Sequence, residues 1–289
     1  MRKSEITVMP MKKLLPILSA VSVLAILVAC EKAASGPTAP VSTAPQSESA
    51  RPAHWGYEGP EGPEYWPALN PAYAACGQGK TQSPIDIVKT QGGESSSWKF
   101  DYKTTSLKIA HHEHVTDIVD NGHTIQVSVD GDTTITTDRG MYTLKQFHFH
   151  TPSEHTVDGT HFPMEMHFVH QSAEGKFAVV SALFQEGTEN ESLAKIIPHL
   201  PKAKGEKAHL PEVQIDLALH LPKSRAAYTY MGSLTTPPCS EEVEWLVFRD
   251  PLTASKAQLE AFASRLSPSN RPTQPLNGRI LGNRTAVER

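Results

Sequence analysis

Cysteine is scarce in this chain. There are three among 289 residues, Cys30, Cys76 and Cys239, so in an exported protein one thiol is left unpaired or otherwise used. Basic charge is not in excess either. The formal net charge is -4, which excludes a global cationic field for holding nucleic acid. Long apolar runs are missing: the longest, residues 14–29, has 16 positions, short of the roughly 20 that span a bilayer. Helical periodicity is rare and internal repeats are absent. Histidine, by contrast, is plentiful, with 14 copies, several of them clustered.

The first 53 residues read as an address and a tether. Met11-Lys12-Lys13 is a basic opening, and residues 14–29 are apolar apart from Pro16, Ser19 and Ser22. That is an export signal by composition, and Met11 opens a more ordinary one than Met1. It ends in Leu27-Val28-Ala29-Cys30, which looks like a bacterial lipoprotein cleavage site. The expectation is a signal peptide over 1–29, a lipidated Cys30, and a location in the periplasm or at the cell surface. The alternatives are an uncleaved anchor and plain secretion. Lys32, where no Asp stands, favours the outer membrane by resemblance to enteric lipoproteins. Residues 30–53 are rich in Ala, Ser, Pro and Thr and cannot bury enough surface to fold. With Cys30 lipidated, Cys76 and Cys239 remain in an oxidising route. A disulfide between them is the default reading, worth about 5 kcal/mol at most, and two buried free thiols are the alternative.

Residues 54–289 read as one domain. Strand-like runs fall at 106–109, 115–119, 124–129, 133–137, 144–150, 165–170, 177–184, 226–231 and 244–248, with Gly or Asp turns such as 120–122 and 130–132 between them. Helical patterns occur at 190–197 and 255–265, with Ser255 as a possible N-cap. The entry carrying Pro60, Pro63, Pro67 and Pro71 is expected to be irregular. The fold class expected is mainly β (α+β), one large sheet with short helices around it.

Gln146-Phe147-His148-Phe149-His150 is the strongest chemical feature. On a strand alternate side chains share a face, so His148 and His150 point one way, about 6–7 Å apart at the backbone, and the two Phe point into core. A catalytic zinc needs a third imidazole and an open fourth position. Glu165-Met166-His167 supplies it on what reads as a hairpin partner. Glu165 shares the face of His167 and can hold its distal N–H; Gln146 can do the same for His148. His170 is off phase and is read as no ligand. His111, His112 and His114 are read as an exposed turn.

These residues resemble an α-class carbonic anhydrase of the bacterial, exported type. The blocks that carry the resemblance are His54-Trp55-Gly56-Tyr57, residues 82–87 (Gln-Ser-Pro-Ile-Asp-Ile), Ser153-Glu154-His155-Thr156-Val157 through 165–169, residues 233–238 (Ser-Leu-Thr-Thr-Pro-Pro) and Gln274-Pro275-Leu276. The resemblance implies a mostly antiparallel twisted sheet of about ten strands with zinc at the base of a conical cleft. It implies that His148, His150 and His167 are ligands, that Glu154 accepts a hydrogen bond from Thr235, and that Thr235 accepts one from a zinc-bound hydroxide. His123 falls on the family's proton-shuttle position. Val169, Val179, Leu234, Thr236 and Trp245 match positions of the substrate pocket, where bland core packing is the competing reading. Gln126 stands where many animal forms carry Asn. Cys76 and Cys239 fit the disulfide of exported members.

The activity implied is zinc-dependent reversible hydration of carbon dioxide to bicarbonate and a proton, a hydro-lyase reaction inhibited by sulfonamides. The substrate is uncharged and the membrane is met only through the lipid; a homodimer is compatible with this reading and not required by it. A zinc esterase and a catalytically silent surface-binding module are the competing readings. The intact ligand set, with Glu154 and Thr235, argues against the second.

Overall fold

Alternation of apolar and polar side chains builds one large sheet. The computed structural model describes residues 54–88, 99–101, 117–120, 123–129, 133–209, 215–266, 268–285 and 287–288. The signal peptide, Cys30, the tether, the expected strand at 106–109, most of both named turns, and His111, His112 and His114 lie outside the described residues. The main path of the sheet runs Lys207–His209, Asp117–Asp120, Ile125–Ser128, Gly140–His150, Met164–Gln171, Phe177–Glu186, Glu241–Phe248, Ala226–Ser233, Gly282–Thr285. Its pairings are antiparallel except where Phe177–Glu186 meets Glu241–Phe248 in parallel. The expectation of a mostly antiparallel sheet of about ten strands holds.

The strand Gly140–His150 begins earlier than expected because its first four residues pair with Thr134–Thr137, and a bulge interrupts it further on. Leu144 faces His170 and Gln146 faces Val169 on the neighbouring strand, which leaves Lys145 as an extra residue. One extra residue flips the parity of everything beyond it. Tyr142 and Leu144 before the bulge, and Phe147 and Phe149 after it, therefore all enter the same core. Phe168, Met166, Phe184, Phe248 and Phe262 join them there. The opposite face of the same strands carries Gln146, His148 and His150.

Both expected helices are present, as Glu191–Ile196 and Lys256–Leu266. Asn190 Oδ1 accepts from Ser192 N and Leu193 N, a regular N-cap, and Ser255 Oγ accepts from Gln258 N. The proline-rich entry departs from expectation: it forms short helical turns at Gly59–Glu61, Trp66–Leu69, Pro71–Tyr73 and Ala75–Gln78. Three of these begin with a proline in their first two positions, where the missing N–H has no helical partner to lose. Cys76 and Cys239 are joined, with Cα atoms 5.0 Å apart, in a small cluster with Trp66 and Tyr73. Among the described residues, no helix is long and apolar enough to cross a membrane.

Candidate metal centre

The register of two paired strands brings three imidazoles together. His148 stands directly opposite His167, and His150 opposite Glu165. Ring centroids lie 5.0 Å (His148–His150), 5.2 Å (His148–His167) and 4.7 Å (His150–His167) apart. One ring nitrogen of each lies within 4.8 Å of the others.

Each ring has its second nitrogen already engaged. His148 Nδ1 meets Gln146 Oε1 at 2.8 Å, His150 Nδ1 meets the Ser269 carbonyl at 2.5 Å, and His167 Nε2 meets Glu165 Oε1 at 2.8 Å. An oxygen acceptor requires the proton on the nitrogen it faces, so the tautomers are set. The lone pairs left over are His148 Nε2, His150 Nε2 and His167 Nδ1. Burial pushes all three histidines below the ordinary imidazole range, His150 to about 4, so each is neutral at pH 7. His150 Nε2 is buried with no hydrogen-bond partner among the described residues. An orphaned, neutral lone pair beside two others is costly unless a cation completes it, and three nitrogen donors suit zinc.

Two buried glutamates differ sharply here. Burial pushes Glu165 upward, but the interactions with His155 and His167 outweigh it and hold the carboxyl well below its usual range. Its Oε1 receives Ser181 Oγ at 2.5 Å and His155 Nδ1 at 2.7 Å besides His167, and Oε2 receives the main-chain N–H groups of Glu154 and His155. The grouping of His155, Glu165 and His167 is thus a hydrogen-bonded network complete in itself. Burial drives Glu154 up to about 7, opposed by His167, the Thr235 hydroxyl and the Arg271 N–H. Its Oε1 accepts from Arg271 N at 2.9 Å, and its Oε2 lies 3.5 Å from His150 Nε2. A cation among the imidazoles would favour the ionised form.

Beyond the imidazoles the site opens into two cavities that share Gln146, His148 and Thr236. One, of about 210 Å³, has the apolar walls Val169, Val179, Leu234 and Trp245, with Thr235 at its edge. The other, of about 110 Å³, is more polar and holds His123, Thr124 and Gln126 beside Tyr57. The His123 ring stacks on Trp55, centroids 3.7 Å apart.

The structure brings His148, His150 and His167 together with Gln146, Glu154 and Glu165, and lines the two cavities with His123, Val169, Val179, Leu234, Thr235, Thr236 and Trp245, while Cys76 and Cys239 form the separate cluster with Trp66 and Tyr73. Several were missed. Phe177 lines the apolar cavity, Trp55 and Tyr57 line the polar one, and His155, Ser181, Ser269 and Arg271 hold the inner partners. A buried-looking His next to Glu154 was the one available signal, for His155. Ser269 acts through its carbonyl, which any residue offers.

The fold and the site together define a class: a sheet-built protein with an inward-facing cluster of three neutral imidazoles that could hold a metal ion, open to a small apolar chamber. The family model for eukaryotic-type carbonic anhydrase matches residues 61–284. A carbonic anhydrase of Pectobacterium carotovorum is 42% identical over 75% of this chain and 85% of that protein. One from Klebsiella pneumoniae is 42% identical over 75% of this chain and 86% of that protein. The solved α-carbonic anhydrase of Thermovibrio ammonificans, in complex with the inhibitor sulfanilamide, superposes with a TM-score of 0.74 at 43% identity, covering 80% of this chain and 99% of that one. The chain belongs to the α (eukaryotic-type) carbonic anhydrase family of enzymes.

Proposed function

We propose that this enzyme hydrates carbon dioxide reversibly to bicarbonate and a proton, using one zinc ion held by His148 Nε2, His150 Nε2 and His167 Nδ1. The observation that carries the reading is the orphaned, neutral lone pair of His150 beside two others. When bound, zinc supplies Lewis-acid activation of a water molecule, whose pKa drops to about 7 in carbonic anhydrases, a value borrowed from that family. The protein's own contribution is orientation. Glu165 and Gln146 fix two tautomers, and Ser269 fixes the third.

Thr235 is assigned the aiming of the nucleophile. If its hydroxyl proton goes to Glu154, its oxygen can only accept, so the attacking oxygen must donate to it and turn a lone pair outward. Val169, Val179, Leu234, Thr236 and Trp245 form the wall against which an uncharged substrate sheds water. His123, at the polar side with Gln126, receives the released proton on a ring nitrogen and passes it to buffer. A sulfonamide fits the same corner, because its N–H can donate to the Thr235 oxygen.

We also assign the chain to an exported, lipid-held state, cut before Cys30 and tethered by residues 30–53. The bond between Cys76 and Cys239 supports an oxidising compartment. The deciding experiment is stopped-flow carbon dioxide hydration before and after chelation. Loss on chelation, return with zinc, and block by sulfanilamide are expected; zinc-independent hydration refutes the reading.

A further inference from the structure

Arg271 is an anomaly of burial. Guanidinium groups are seldom enclosed unless paired, yet this one is 1% exposed. It lies in irregular chain beyond the helix Lys256–Leu266. Nη1 donates to Gln82 Oε1 at 2.9 Å and to the Ser83 carbonyl at 2.7 Å, and Nη2 donates to the Cys76 carbonyl at 2.7 Å. The Trp66 ring lies 5.6 Å away. Burial lowers its pKa to about 10, which leaves it charged at neutral pH.

Its partners lead to both halves of the Glu154–Thr235 pair. On one side its own main-chain N–H donates to Glu154 Oε1 at 2.9 Å. On the other, Gln82 Nε2 donates to the Cys239 carbonyl at 3.1 Å. Ser83 N donates to Ser233 Oγ at 2.9 Å and Ser83 Oγ accepts from Ser233 N at 3.0 Å. Ser233 and Cys239 bracket Thr235. Within that loop Leu234 N donates to the Ser240 carbonyl at 2.9 Å, and Cys239 N to the Thr236 carbonyl at 2.8 Å. One residue therefore ties the two parts, its main-chain N–H holding the carboxylate and its guanidinium holding the Gln82–Ser83 segment that grips the loop carrying the hydroxyl. Hydrogen bonds weaken steeply with misalignment, so small slippage between these parts matters.

We propose that Arg271 is a positioning residue that sets the alignment of Thr235 with Glu154. It lines neither of the two cavities, and the inference rests on the reading that Thr235 orients the nucleophile.

The test is a double-mutant cycle on the zinc-loaded full chain: Arg271→Met and Thr235→Val, singly and together, with kcat taken per bound zinc. Arg271→Met is expected to lower kcat about tenfold with Thr235 present but less than about twofold in the Thr235→Val background, with KM little changed. Sulfanilamide affinity, read by calorimetry, is expected to weaken about tenfold only when Thr235 is present. Equal fold-losses in both backgrounds, or a lower Tm with kcat per zinc unchanged, overturn the proposal and leave Arg271 merely structural. An inert Thr235→Val overturns the orientation reading itself, and the proposal with it. If Arg271→Met does not fold, Gln82→Met removes the Arg271–Gln82–Cys239 link, together with the Gln82 Nε2 bond to Glu241 Oε1, and leaves Arg271 its bonds to the Ser83 and Cys76 carbonyls. Run through the same cycle, it is expected to cost about threefold with Thr235 present, and equal losses again overturn the idea.

Discussion

The two faces of the paired strands Gly140–His150 and Met164–Gln171 both bury histidine, yet only one face makes a site. On the core side His170 meets the Phe168 carbonyl at 3.0 Å, and His220, packed 5.4 Å from the Phe147 ring, meets Ser192 Oγ at 2.7 Å. Burial pushes both down to about 3. His220 Nδ1 even lacks a hydrogen-bond partner among the described residues, as His150 Nε2 does. Neutral burial and an orphaned nitrogen are therefore not enough. What distinguishes the other face is convergence: three lone pairs aimed at one point, each ring held from behind, and a chamber in front.

Substitutions on the two faces should separate metal from stability. The largest effect is expected for His150→Ala, with zinc content falling from near one per chain to near zero. Hydration should drop more than the roughly 10–100-fold typical of losing an outer partner; metal analysis and stopped flow check both. Phe149→Ala, one residue away on the core face, should cost about 3–5 kcal/mol in urea unfolding while the folded fraction keeps its zinc. Loss of zinc by that variant would break the comparison. Glu165→Gln should weaken zinc affinity about 10–100-fold, read by chelator competition.

Acid separates the faces more gently. His170 and His220 titrate near 6.5 when unfolded and about 3 when folded, so between those values the unfolded chain binds protons that the folded one refuses. Their contribution is complete above pH 6.5 and declines as pH falls toward 3. The slope is up to about 1.4 kcal/mol per pH unit for each histidine. A His220→Asn chain should show a shallower acid slope in urea midpoint; an unchanged slope removes His220 from this role. The smallest effect is expected for His123→Ala: turnover about tenfold slower in weak buffer, restored by added imidazole. Equal activity of variant and parent at low buffer contradicts the shuttle.

The site was unusually legible because period two survives in residues 146–150, where two phenylalanines alternate with two histidines. The third ligand and its acid follow the same parity at 165 and 167. The bulge at Lys145 was not legible. Leu144 and His148 have the same parity, and only the partner strand reveals that they face opposite sides. Arg271 left no periodic trace, since it sits in irregular chain among prolines and acts across more than a hundred residues on Glu154. Short helical turns at the entry were hidden by the very prolines that start them.

X-ray absorption at the zinc edge of the intact protein tests the central claim most directly. The account predicts three imidazole nitrogens at about 2.0–2.1 Å and one exchangeable oxygen in the fourth position, displaced by sulfanilamide nitrogen. A fourth protein donor, such as the Glu154 carboxylate, or a shell with fewer than three imidazoles, would contradict it.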